Sequence, residues 1–167
     1  MQEESKSLQR ICSPGQMPGY AVDMPELKET GTPMIHPAQG RCFGCGAANP
    51  IGLHLEFLIA EDGSIYAETA VSDNYEGPAG YVHGGMIATM LDEVMSKTVR
   101  ALGVRAVTRK LEVEYLLPVP SQTRIRLEAR LVSREKRKNF TSARLLNEEG
   151  KVLAQGSGLF IEIPGDL

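Results

Sequence analysis

The sequence predicts an α+β domain in which one buried helix packs on an antiparallel sheet. Two observations carry this. A single segment, from Gly84 to Leu102, repeats its apolar residues at helical spacing. Six other segments alternate apolar and polar residues as half-buried strands do, with turn signals between them. The chain has 167 residues, 42% hydrophobic and 23% charged, which suits one domain and is unlike a disordered composition.

Residues 1–40 hold Pro14, Pro18, Pro25, Pro33 and Pro37 among several glycines. They read as an irregular N-terminal arm with a short helix around Glu4–Ile11, ahead of a domain over 41–167. Leu53, Leu55, Phe57 and Ile59 then alternate with mostly polar neighbours, as a first strand. Glu61-Asp62-Gly63-Ser64 is a turn, and Ile65, Ala67, Thr69 and Val71 complete a hairpin. A Gly-rich loop, Glu76–Gly80, precedes His83-Gly84-Gly85 at the helix start.

Along the helix, Ile87, Leu91, Val94 or Met95, Thr98 and Leu102 make one apolar stripe, and Gly103 is a C-terminal stop. Met86, Met90 and Met95 widen the stripe until little of the helix can face water. Next, Leu111, Val113 and Tyr115 alternate with Lys110, Glu112 and Glu114, and Pro118-Val119-Pro120 ends that run. Ile125, Leu127, Ala129 and Leu131 form another strand, and Arg134–Lys138 with Asn139 make the following turn. Residues 140–147, a turn at Asn147–Gly150, and residues 151–163 close the chain. The expected order is β-β-α-β-β-β-β.

No apolar run approaches the roughly 20 residues that span a bilayer, and the start MQEESKSLQR lacks a signal-peptide core. With three cysteines only, the expectation is a cytoplasmic protein without membrane partners. The net charge of -3 hides a skew, since Lys97–Arg144 holds 13 Lys/Arg against 4 Asp/Glu. Such a segment serves an anionic ligand or merely solubility. Interleaved aromatics are missing around Arg134–Lys138, so nucleic acid is not an expected partner.

Four motifs invite chemistry. At His83-Gly84-Gly85, unsatisfied first-turn amides lie at the positive end of a helix, where they bind an anion or polarise a carbonyl oxygen; the plainer reading is a tight turn capped by His83. Asp92 sits between core candidates Leu91 and Val94, as a nucleophile or a general base would, or else lies at a solvent edge. Glu93 reads as the edge residue, paired with Lys97 four positions on. Cys42-Phe43-Gly44-Cys45 lacks a second Cys/His pair, so it reads as a packed turn rather than a metal or redox centre, and no metal is expected.

His83 and Asp92 lie nine positions apart, which in a helix is about 13 Å and about half a turn out of phase. One chain cannot easily bring both to one site. Two such helices packed antiparallel across a two-fold axis can.

Several of these segments, in this order and spacing, closely resemble the hotdog-fold acyl-CoA thioesterases, in particular the PaaI-like and thioesterase-superfamily-member branch. They are Cys42–Gly46 with Asn49–Leu53, Gly77–Gly85, Met86–Asp92, and Thr108 through Pro120. The resemblance covers roughly residues 41–163. It implies a long central helix wrapped by a curved antiparallel sheet of about six strands, and homodimers with shared sites, with a pairing of dimers into tetramers as an option. It implies hydrolysis of an acyl- or aryl-CoA to free acid and CoA without a cofactor. The alternative is a non-catalytic acyl-CoA-binding hotdog protein.

The family's roles fall on His83, which orients the loop or thioester, and on a glycine amide polarising the carbonyl, Gly85 ahead of Gly84. They fall further on Asp92 as general base or nucleophile, and on Thr108, which positions water. The alternation of its strand puts Thr108 on the polar face, opposite Leu111 and Val113, unless a bulge shifts the parity. Arg137 and Lys138 are the expected holders of coenzyme A phosphates.

Overall fold

The computed structural model describes residues 31–164. The helix expected around Glu4–Ile11 and most of the arm lie outside the described residues. Seven strands form one sheet: β1 (Gly31–Pro33), β2 (Leu58–Ala60), β3 (Ile65–Ala70), β4 (Ala106–Tyr115), β5 (Arg124–Glu135), β6 (Lys138–Asn147) and β7 (Val152–Glu162). One helix, α1 (Gly84–Arg100), interrupts them between β3 and β4. The sheet order is β1-β2-β3-β5-β6-β7-β4, with every pairing antiparallel.

Helix α1 touches β3, β4, β5, β6 and β7. Five adjacent strands at about 4.8 Å spacing are nearly 20 Å across, while a helix with its side chains is about 10–12 Å wide. All five reach the helix only because the sheet curls around it. The helix side of the core is Ile87, Met90, Leu91, Val94, Met95 and Val99, and the sheet side includes Ile65, Leu127, Leu145 and Phe160. This is the expected α+β architecture, a hotdog fold.

Four details depart from the expectation. The extra strand is β1, drawn from the end of the arm and paired with β2 from Gly31↔Ala60 to Pro33↔Leu58. The first expected strand is cut to Leu58–Ala60, because Leu53 and Leu55 donate their amides to Phe43 and Gly44 in a loop instead of to a strand. Their alternation survives as burial of Leu55 and Phe57. Leu102 lies beyond the helix end and is 41% exposed, since Ala101 already caps α1 and Gly103 turns away with φ 76°. Finally, Arg134, Glu135, Lys138 and Asn139 are paired strand residues, leaving only Lys136 and Arg137 to turn. Lys136 takes the left-handed backbone (φ 54°) that so short a connection demands.

Because Leu91 is fully buried between helix and sheet, Leu91→Ala is expected to cost about 2–5 kcal/mol in denaturant unfolding. Leu102→Ala, outside that seam, is expected to cost less than about 0.5 kcal/mol.

Candidate active site

The loop before α1 is tied down at both ends. Ser72 accepts the Asn74 amide and starts a single 3-10 turn over Asp73–Tyr75. Val82 donates to the Val119 carbonyl at 2.8 Å, and His83 to the Tyr75 carbonyl at 2.9 Å. Ser121 donates its hydroxyl to the Glu76 carboxylate. These bonds deliver His83 in an extended conformation as the N-cap of α1.

His83 caps through its ring. Nδ1 accepts the Gly85 amide at 2.9 Å, which puts the ring proton on Nε2. The amides of Met86 and Ile87 go to the His83 carbonyl at 2.9 and 3.2 Å. This reverses the expected ranking of the two glycines. The Gly85 amide has a partner, whereas the Gly84 amide has none among the described residues and is the donor available to a ligand. The Gly84 carbonyl accepts from the Tyr115 hydroxyl at 3.0 Å, which fixes the peptide against β4.

Two turns further along α1, Asp92 is half-buried, and its Oδ1 accepts from the Thr108 hydroxyl at 2.9 Å. The sequence parity of β4 placed Thr108 opposite Leu111 and Val113, and the structure corrects this. A bulge between Thr108 and Lys110 inserts Arg109, so Thr108 pairs with Phe160 while Leu111 pairs with Gly158 and Val113 with Gly156. Those three β7 residues share one face, and one extra residue has therefore turned Thr108 inward toward the helix.

Burial raises the Asp92 carboxyl above its ordinary value of 3.8; the Thr108 hydrogen bond pulls it part of the way back, and the neighbouring Glu93 pushes it up a little. With Oδ1 held by Thr108, Oδ2 is the oxygen left to meet a water or an electrophile.

Glu93 points the other way, and the expected solvent edge is not where it lies. It pairs with Lys97 at 2.7 Å, yet the Lys97 residue is only 7% exposed. Cys42 Sγ lies 3.5 Å from Glu93 Oε1, and Lys97 donates to Cys45 Sγ at 3.1 Å. Burial would drive the Glu93 carboxyl up, but the Lys97 ammonium holds it below its ordinary value. Burial and the Glu93 contact push the Cys45 thiol up to about 12. Sequence reasoning left the Cys turn and the Glu93–Lys97 pair separate. The available signal was that a helix with no exposed face must bring its polar side chains partners from elsewhere.

Of the basic residues, Arg137 is spent in part on the chain itself, its Nε donating to the Glu162 carbonyl at 3.0 Å. Lys138 has no partner among the described residues. Across the sheet Lys138 pairs with Ile161, which pairs with Val107. The hairpin tip is thus two strands, about 10 Å, from the residue next to Thr108.

Asp92 also sets a pH dependence. Its folded value exceeds its unfolded one, so the native state binds the proton more tightly and loses stability as pH rises through the interval between them. Asp92→Asn escapes that loss. It should melt higher than the parent chain at pH 7, with the advantage vanishing below the ordinary value of 3.8. Thermal melts across pH check this.

Residues 79–154 match the family model for the thioesterase superfamily. Acyl-coenzyme A thioesterase THEM4 of Xenopus laevis is 33% identical over 89 residues, covering 53% of this chain and 40% of that protein. The chain thus spans less than half the length of that relative. Human acyl-coenzyme A thioesterase 13 is 29% identical over 105 residues, covering 61% of this chain and 75% of that protein. A crystal structure of a thioesterase superfamily protein superposes with a TM-score of 0.69 at 28% identity, covering 72% of this chain and 60% of that one. No helix among the described residues is long and apolar enough to cross a membrane. Family model, relatives and a sheet rolled around one buried helix agree: the chain has the hotdog fold, and its residues 79–154 are similar to the thioesterase superfamily.

Proposed function

We propose that the protein hydrolyses the thioester of an acyl- or aryl-CoA, with Asp92 as general base. The observation that carries the reading is the desolvated Asp92 carboxylate held by Thr108. Burial raises its proton affinity toward what a base working near neutral pH requires. The water oxygen attacks the thioester carbonyl as Asp92 Oδ2 takes the proton. The carbonyl oxygen, now an oxyanion, is met by the Gly84 amide at the positive end of α1. When the C–S bond breaks, the proton held by Asp92 passes to the departing sulfur, giving CoA thiol and a carboxylic acid.

The oxyanion donor and the base come from different subunits in this reading. Within one chain Gly84 and Asp92 are eight residues apart on one helix, about 12 Å. Strand β4 lies at the end of the sheet order, and Val107 and Tyr115 on it are 50% and 53% exposed. A long bare edge with apolar side chains is a surface for pairing with another strand. Pairing with β4 of a second copy antiparallel sets the helices side by side and brings one chain's His83-Gly84 to the other's Asp92. Lys138, and Arg137 to a lesser degree, attract the CoA phosphates from the hairpin tip. The frog and human relatives named as acyl-coenzyme A thioesterases support the substrate class.

Asp92→Ala is expected to lower kcat about 10²–10⁴-fold in an assay that traps the released thiol, with CoA affinity changed little. Near-parental turnover in a folded variant would overturn the assignment. Tight acyl-CoA binding by the parent chain without thiol release would point instead to a binding protein.

Complementation tests the shared site. His83→Ala and Asp92→Ala homodimers, mixed and allowed to exchange subunits, should regain about a quarter of parental activity. Half the dimers are then mixed, and each of these holds one intact site of two. No recovery despite demonstrated subunit exchange would place the whole site within one chain.

A further inference from the structure

The Cys42–Cys45 turn has a shape its two thiols alone do not explain. A Cβ on Gly46 would lie 2.4 Å from the Cys42 nitrogen and 2.6 Å from the Cys42 carbonyl oxygen, so the chain folds back over Cys42 with no room to spare. A Cβ on Gly44 would lie 2.5 Å from Glu93 Cγ. At Gly46 the neighbours are backbone, so glycine is what lets the turn close; at Gly44 the neighbour is the Glu93 side chain, against which the turn is pressed. The result sets two sulfurs and a carboxylate oxygen within 4.8 Å of one another.

We propose that Cys42, Cys45 and Glu93 form a binding site for a zinc ion or a comparable borderline-soft divalent cation, with a solvent molecule in the fourth position. This inference does not rest on the thioesterase reading.

The ligand types and spacing fit. Zinc takes thiolate sulfur at about 2.3 Å and carboxylate oxygen at about 2.0–2.2 Å, so a tetrahedral site separates sulfur from oxygen by about 3.5 Å. Cys42 Sγ stands 3.5 and 3.6 Å from the two Glu93 oxygens. Two residues between the cysteines is the spacing at which one turn presents both sulfurs to one ion. Cys42 is exposed, which leaves a path of entry.

Charge fits as well. On binding, each thiol gives its proton to solvent, and the two thiolates and Glu93 carry three negative charges. The divalent ion and the Lys97 ammonium supply three positive ones. Lys97, 2.7 Å from Glu93 and 3.1 Å from Cys45 Sγ, then serves as the outer donor that holds the ligands in place. His36 Nε2 is buried without a partner among the described residues and lies on the Phe57 ring that Lys97 also covers.

The test uses the full reduced chain stripped with a chelator and titrated with cobalt(II), which reports coordination by its spectrum. One cobalt per chain is expected, with intense near-ultraviolet sulfur-to-cobalt absorption and the strong visible bands of a tetrahedral site, both displaced by zinc. Zinc should protect two of the three thiols from a disulfide reagent. Glu93→Gln should weaken cobalt binding at least tenfold, and the Cys42→Ser, Cys45→Ser double variant should abolish the sulfur band.

Three results would overturn the proposal. One is the absence of stoichiometric cobalt uptake by the reduced parent chain. Another is a sulfur band that survives in the folded double variant. The third is a Cys42–Cys45 disulfide that persists with zinc and reductant in excess. If the double variant does not fold, thiol protection in the parent chain decides alone.

Discussion

A helix without a solvent face must find a partner for every polar side chain it carries, and α1 carries several in its central turns. Thr89, Ser96 and Thr98 turn their hydroxyls back onto helix carbonyls. The consecutive carboxylates Asp92 and Glu93 cannot do so, because a carboxylate only accepts. A helix directs adjacent residues about 100° apart, so the two look for partners in different quarters. Asp92 finds a hydroxyl on β4, a neutral donor that leaves its burial largely uncompensated and its proton affinity raised. Glu93 finds an ammonium and two thiols, and its proton affinity falls. Two carboxylates one bond apart in sequence thereby acquire opposite character.

The parts of this arrangement that were legible in the sequence are those set by local periodicity. The apolar stripe of α1 from Ile87 to Thr98 and the alternation of Ile125, Leu127 and Ala129 in β5 determine which face is buried whatever lies beyond, and both stand in the structure. His83 as the helix cap follows from the two glycines after it. Thr108 was misplaced onto the polar face because alternation assumes one residue per pleat, and nothing in the letters Thr108-Arg109-Lys110 announces a bulge. Leu53–Phe57 kept its buried alternation but lost its strand partners to the loop at Phe43 and Gly44, a contact between segments that no window on either reveals.

The basic segment shows the same divide. Its charge was countable, but its use depends on neighbours far along the chain. Arg144 and Arg126 flank the buried Glu128, and Arg134 meets the Glu162 carboxylate at 2.9 Å. Much of the surplus is therefore consumed in holding the sheet's outer face together. What remains available at the hairpin tip is a small part of the thirteen.

The separation of His83 from Asp92 along a rigid rod has a consequence for quantity. If each working site draws on two chains, a lone chain is inert at any substrate concentration. Rate would then follow the square of total protein below the dissociation constant of the pair and become linear above it. The bare edge of β4 would make the proposed hydrolysis, per molecule, a function of the protein's own abundance, so that expression level sets both how many sites exist and whether they exist at all.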